Sequence, residues 1–324
     1  VVLLFLLRFV IFVDGKNESE RDMRIVVTFM VAALACLTAV AKGTITKHEN
    51  EVAEGYNFLL YEPENVLHKS EKGLRESENL LQESDRVSYE SERLLHESEI
   101  LYEPENAGGK LPLVIALHGG SVCGADLEMV ANYGAMDALN SGMELETYVV
   151  APQNNSRSEW SADRIMAIVS YLTEHYNVDT NRISAIGLSM GAYGVADLIA
   201  AYPDKIAAGI VLGGALVHGD AANLNKVPLW IIRGLKDREH AIARTEQTVK
   251  EMQAADPKTS RLIYSRVKGL GHRQHERALY VADCYNWLIS HSLADEGRAV
   301  KPAIEVKQLF KHEIRKKGNN VSKK

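Results

Sequence analysis

The chain carries only three cysteines in 324 residues and no cysteine–histidine cluster at metal-ligand spacing, so nothing in it predicts a metal site. It also has no excess of basic charge. The formal net charge is −6, and the segment from Glu62 to Tyr102, with eleven acidic and five basic residues, accounts for all of it. The remainder is neutral and offers no electrostatic case for binding nucleic acid. Long apolar runs are missing too: the stretch Ile25 to Ala41 is shorter than the ~20 residues that a membrane-spanning helix needs. What is plentiful is hydrophobic residues, at 46 %, enough for one large α/β domain with a substantial core plus appendages.

Met23-Arg24 followed by the apolar run to Ala39-Val40-Ala41 has the form of a secretory signal over 23–41 with an A-x-A cleavage site. Residues 1–22, which begin with valine, are then a non-native upstream segment. Secreted or periplasmic placement follows, and an uncleaved membrane anchor is the alternative. Cys36 lacks the leucine three residues earlier that a bacterial lipidation box usually has, which disfavours a lipoprotein. Cleavage leaves Cys123 and Cys284, whose pairing the sequence does not decide.

The string Tyr-Glu-Pro-Glu-Asn occurs at Tyr61–Asn65 and again at Tyr102–Asn106, with heptads between that start at Glu76, Glu83, Glu90 and Glu97. Leu80, Val87, Leu94 and Leu101 recur every seven residues, but Leu81 and Leu95 are adjacent to them, so the pattern does not support an a/d coiled-coil seam. Residues 62–102 therefore read as an acidic heptad-repeat insertion, either a solvated or disordered segment or an arm for self-association. The surrounding domain spans 42–61 plus 103–293. A tail over 294–324, with eight basic and two acidic residues from Lys301 onward, reads as a solvated extension.

Strands are predicted at Tyr56–Tyr61, Pro112–Leu117, Glu146–Val150, Arg182–Leu188, Ala207–Leu212, Pro228–Ile232 and Arg261–Val267. Helices are predicted at Ala162–Tyr176, Gly191–Ala201, Ala241–Ala255 and Glu276–Ser290. This alternation implies a largely parallel sheet covered on both faces. Between the fourth strand and its helix stands Gly187-Leu188-Ser189-Met190-Gly191, a G-x-S-x-G pattern in a strand–turn–helix setting. In such an elbow the serine occupies a strained turn, and flanking glycines avoid clashes with the adjacent strand and helix.

A serine hydroxyl needs a base to take its proton and a third group to orient that base. Asp237 leaves the strand Leu229–Ile232 in a turn and is the candidate acid. His272, in the glycine-flanked loop Lys268–His272, is the candidate base. His275 competes for that role but is expected to lie nearer the start of the last helix, exposed at the surface. His118-Gly119-Gly120 follows the second predicted strand, so the N–H groups of Gly120 and Met190 are the candidate oxyanion donors. Gln153 and Trp160 are candidates for lining the cleft, although simple packing explains Trp160 equally well.

The segments L-P-L-V-I-A-L-H-G-G from Leu111, A-P-Q from Ala151, N-V-D-T-N-R-I-S-A-I-G-L-S-M-G-A-Y-G from Asn177, A-Y-P-D-K-I-A-A from Ala201, P-L-W-I-I-R-G-L-K-D from Pro228 and G-L-G-H from Gly269 resemble secreted bacterial α/β-hydrolases. The resemblance is to the phospholipase/carboxylesterase and prolyl-oligopeptidase-like group, which includes dienelactone-hydrolase-like esterases. It covers about Tyr56 to Leu293 apart from the insertion. It implies the α/β-hydrolase fold, a Ser189–Asp237–His272 triad, no cofactor, and a small-molecule or polysaccharide-linked ester as substrate. Many relatives have histidine where Arg233 stands, and the insertion is unusual. The expected function is a serine esterase. A serine peptidase of prolyl-oligopeptidase type and a non-catalytic binding protein on the same fold are the alternatives. The sequence does not indicate an oligomeric state, and contact with a membrane is expected only through the signal segment.

Overall fold

Eight strands pair in the order β1-β2-β4-β3-β5-β6-β7-β8. They are β1 (Thr44–His48), β2 (Phe58–Glu62), β3 (Leu111–Leu117), β4 (Tyr148–Pro152), β5 (Val178–Leu188), β6 (Ala208–Leu212), β7 (Leu229–Gly234) and β8 (Leu262–Val267). β1 and β2 pair antiparallel, as do β2 and β4; every later neighbour is parallel. The longer helices are α3 (Ala162–His175), α4 (Met190–Ala201) and α6 (Glu239–Ala255). The shorter ones are α1 (Glu128–Ala131), α2 (Gly134–Asn140), α5 (Ala221–Leu224), α7 (Ala282–Ile289) and α8 (Val306–Leu309). This computed structural model describes residues 43–63 and 109–310. The described residues belong to one compact unit. The upstream and signal segments and the tail beyond residue 310 lie outside the described residues. So does the proposed insertion, apart from Glu62, which closes β2, and Pro63.

The period-two alternation of the strands divides the core between two faces. Leu113, Ile115 and Leu117 of β3, with Leu229 and Ile231 of β7, pack with Ile165, Leu172, Val195, Leu198 and Met252 from α3, α4 and α6. Val114 and Ala116, with Trp230 and Ile232, pack on the other face against Met136 and Leu139 of α2 and Tyr285, Trp287 and Leu288 of α7. From β3 the chain moves outward to β4, then returns past β3 to β5. The strand order thus reverses between β3 and β5, and the helices after those strands lie on opposite faces. A crevice opens at the carboxyl ends of such strands.

Two expectations about the chain's elements and tail need correction. The helix predicted at Glu276–Ser290 is a 3₁₀ segment, His272–Tyr280, followed by α7, with Val281 extended between them (φ −113°, ψ 111°). The tail is not a solvated extension throughout: within 301–310, Leu309 is fully buried, and Ala303, Ile304, Val306 and Phe310 pack against the α7 face. Burial of those apolar residues favours docking, and the exposed Lys307 keeps its charge in water. β1, α1, α2, α5 and α8 were not anticipated.

Candidate active site

A single residue separates β5 from α4. Ser189 holds φ 55° and ψ −115°, a left-handed conformation that costs a non-glycine residue about 1–3 kcal/mol. The neighbouring glycines explain why the turn closes. A Cβ at Gly191 would stand 2.0 Å from the Leu117 carbonyl oxygen, and one at Gly187 would stand 2.3 Å from the Gly191 carbonyl oxygen. The Ser189 N–H donates to Leu212 O (3.0 Å), which pins the elbow to the end of β6.

The loop after β8 brings His272 over this serine. His272 Nε2 lies 2.9 Å from Ser189 Oγ, and Nδ1 lies 2.8 Å from Asp237 Oδ2. The carboxylate only accepts, so Nδ1 carries the proton and Nε2 is left to accept from the serine hydroxyl. The Asp237 side chain is 1 % exposed, against 41 % for His272. Burial pushes the Asp237 carboxyl up. The hydrogen bonds from His272 and the Arg238 N–H (2.7 Å), with the charges of His272 and Arg233, outweigh this and leave it below its ordinary value.

Arg233 was not anticipated in this role. β7 runs two residues further than predicted, so Arg233 points to the same side as Leu229 and Ile231, and it is fully buried. Its guanidinium donates to Asp237 Oδ2 (2.7 Å), Thr245 Oγ1 (2.8 Å from Nε) and Gly214 O (3.0 Å). Its place in the period-two series 229, 231, 233 was the available signal.

His275 is not at the surface. It is fully buried, its Nδ1 is 2.9 Å from the His272 carbonyl oxygen, and its Nε2 accepts from the Gly234 N–H at 2.9 Å. Burial, the chief cause, lowers its pKa to about 4. Donor atoms of Asp237, His272 and His275 lie within 4.8 Å of one another. They do not fit a metal: both His275 nitrogens are committed to the backbone, and Arg233 already neutralises Asp237.

The loop after β3 closes the other side. A Cβ on Gly119 would lie 3.6 Å from Ser189 Cβ, and one on Gly120 would lie 4.0 Å from Met190 Sδ, so the sheet brings Gly120 and Met190 together. Met190 N–H is the first amide of α4 and has no acceptor within its helix. His118, buried and with its pKa lowered by that burial, donates from Nδ1 to Gly119 O (2.9 Å) and accepts the Asn154 N–H at Nε2 (3.0 Å), which fixes the loop. Gln153 Nε2 donates to Val122 O (2.7 Å), and Gln153 forms part of a cavity of about 350 Å³ with Asn57, Asn155 and Arg164, among others. Trp160 is 5 % exposed and packs edge-on against His118 and Tyr56. Cys123 and Cys284 are both free, with Cys123 Sγ 3.8 Å from Met190 Sδ.

No protein-family model matches the chain, and no curated protein matches it. Among solved structures, a thermostable esterase is similar with a TM-score of 0.50 and 19 % identity, over 78 % of this chain and 63 % of that one. This chain therefore spans less than two thirds of that esterase. A ferulic acid esterase follows with a TM-score of 0.46 and 16 % identity, over 77 % of this chain and 98 % of that one. A serine-to-alanine mutant of a Clostridium thermocellum feruloyl esterase module, complexed with sinapinate, has a TM-score of 0.45 and 14 % identity, over 74 % of this chain and 87 % of that one. Given the strand order, the elbow between β5 and α4, and the overlap with the thermostable esterase, the chain has the α/β-hydrolase fold.

Proposed function

We propose that this protein is a serine hydrolase of carboxylic esters, working through an acyl-enzyme on Ser189. The observation that carries this reading is the continuous relay from Ser189 Oγ through His272 to Asp237 Oδ2, at 2.9 Å and 2.8 Å. His272 Nε2 takes the hydroxyl proton as Oγ attacks the ester carbonyl carbon. The N–H groups of Gly120 and Met190 hold the resulting oxyanion, and a missing donor of this kind typically costs about 3 kcal/mol. As the tetrahedral intermediate collapses, the protonated Nε2 gives its proton to the leaving alkoxide. Water, deprotonated by the same nitrogen, then releases the acid and restores Ser189. Asp237 keeps the Nδ1 proton in place and offsets the charge of the imidazolium, while Arg233 fixes the carboxylate that does so.

The form of residues 23–41 supports export to the periplasm or the exterior. Among the described residues no helix is long and apolar enough to cross a membrane. The decisive experiment is hydrolysis of aryl acetates, long-chain acyl esters, feruloyl esters and a prolyl anilide by wild type and Ser189→Ala, with fluorophosphonate labelling in parallel. The expected outcome is ester turnover and labelling that both vanish in Ser189→Ala. Turnover of the anilide alone would make the protein a peptidase. No turnover and no Ser189-dependent labelling would leave a binding protein on a hydrolase fold.

A further inference from the structure

We infer that His275, three residues beyond the base, is a positioning residue that sets the height and tilt of His272 over Ser189. The inference rests on the esterase reading only for its kinetic consequence. The slot that holds the imidazole is built from backbone. A Cβ on Gly234 would lie 3.0 Å from His275 Cε1, and one on Gly213 would lie 3.4 Å from both Cε1 and Nδ1. The ring therefore sits against the carboxyl ends of β6 and β7, at two positions where any larger residue would crowd it.

Both of its partners have fixed polarity. The His272 carbonyl only accepts, so His275 Nδ1 must carry the proton; the Gly234 N–H only donates, so Nε2 must be bare. The ring thus ties the backbone of the base to the last residue of the strand from which the acid turn departs. Gly234 O in turn accepts the Asp237 N–H at 3.3 Å. Through one neutral imidazole, the main chain of His272 is referenced to the main chain that carries Asp237. A positively charged ring would have a proton at Nε2 facing the Gly234 N–H, so the clamp works only in the neutral form.

The surroundings favour that form. The charged and titratable groups around His275 are Arg233 and Asp237 from the β7 side and His272 from its own segment. Beyond them the ring meets Gly213 and, edge-on at 6.4 Å, Phe310. Phe310 belongs to the docked C-terminal stretch, and its carbonyl accepts from Arg277 at 2.8 Å. The tail thereby covers the slot that the sheet ends leave open.

The test compares His275→Leu, which cannot make either hydrogen bond, with His275→Gln, whose amide can donate to one partner and accept from the other. With an aryl acetate, Leu is expected to lower kcat on the order of 100-fold with KM little changed, the scale of an ~1 Å misplacement, and Gln is expected to restore most of it. Unchanged kcat in a folded Leu variant would overturn the inference, as would equal losses in Leu and Gln that track their melting temperatures. A second readout does not need turnover. The proton NMR signal of the His272 Nδ1–H bound to Asp237 is expected in wild type, Ser189→Ala and His275→Gln, and is expected to be lost in His275→Leu. If wild type turns over no ester while this signal follows the expected order, the esterase reading fails and the positioning role stands. If the signal persists in the Leu variant, the positioning role fails.

Discussion

Arg233 puts a full positive charge inside the protein, and each of its three guanidinium nitrogens donates to a partner. Asp237, Thr245 and the Gly214 carbonyl receive its donors, and both members of the Arg233–Asp237 pair have almost no exposed side chain. Such a pair adds little net stability when intact. Removing one partner strands a buried charge, at a cost of about 3–5 kcal/mol. Arg233→Met is therefore expected to lower the urea unfolding free energy by that amount and to reduce kcat more than it changes KM, because Asp237 loses the contact that fixes its orientation. Ser189 carries the opposite kind of cost. Its left-handed backbone is strain held in place by the elbow. Ser189→Gly is expected to be more stable than Ser189→Ala by about 1 kcal/mol in thermal or chemical unfolding, since glycine tolerates that conformation and alanine does not.

Among the elements, the elbow is the least forgiving. At Gly191 a methyl group would meet the Leu117 carbonyl, which is backbone in a central strand and has no room to retreat. Gly191→Ala is expected to yield little soluble folded protein, measurable as lost expression or a non-cooperative melt. Most elements were legible because their signals are local. Apolar runs of strand length alternating with helical periodicity mark β2 to β8 and α3, α4 and α6. The helix predicted at Glu276–Ser290 is interrupted for a physical reason. His275, Ala278 and Leu279 are buried at helical spacing, and no glycine or proline marks the break at Val281. The interruption comes from docking the loop onto the ends of β6 and β7, which leaves no sequence signal of its own. β1 was missed because its five residues, Thr44–His48, include only one large apolar side chain.

For the molecule as a whole, buried neutral histidines set the response to acid. Burial lowers the pKa of His118, His275 and His291, in the case of His275 from 6.5 to about 4. At His275 the unfolded chain therefore takes up more protons than the folded one between those values, so its contribution to stability rises with pH across the window and is lost as pH drops from about 6.5 to about 4. For His275 alone the shift corresponds to roughly 3 kcal/mol. The melting temperature is expected to fall between pH 7 and pH 5, and the fall is expected to be smaller in His275→Gln. Calorimetry across that range checks both.

The alternation of strands and helices, the elbow, and the chain order of serine, aspartate and histidine are each written in a few neighbouring residues and so can be read without a structure. Which groups touch depends on long-range packing. Ser189 and His272 are 83 residues apart and meet at 2.9 Å because parallel pairing aligns the ends of β5 to β8 along one edge. The same alignment turned Arg233 inward to Asp237 and closed the backbone slot over His275, replacing an expected surface histidine with a buried one. Such contacts depend on strand register and on which chain segment covers the sheet's edge, and no short stretch of sequence encodes either.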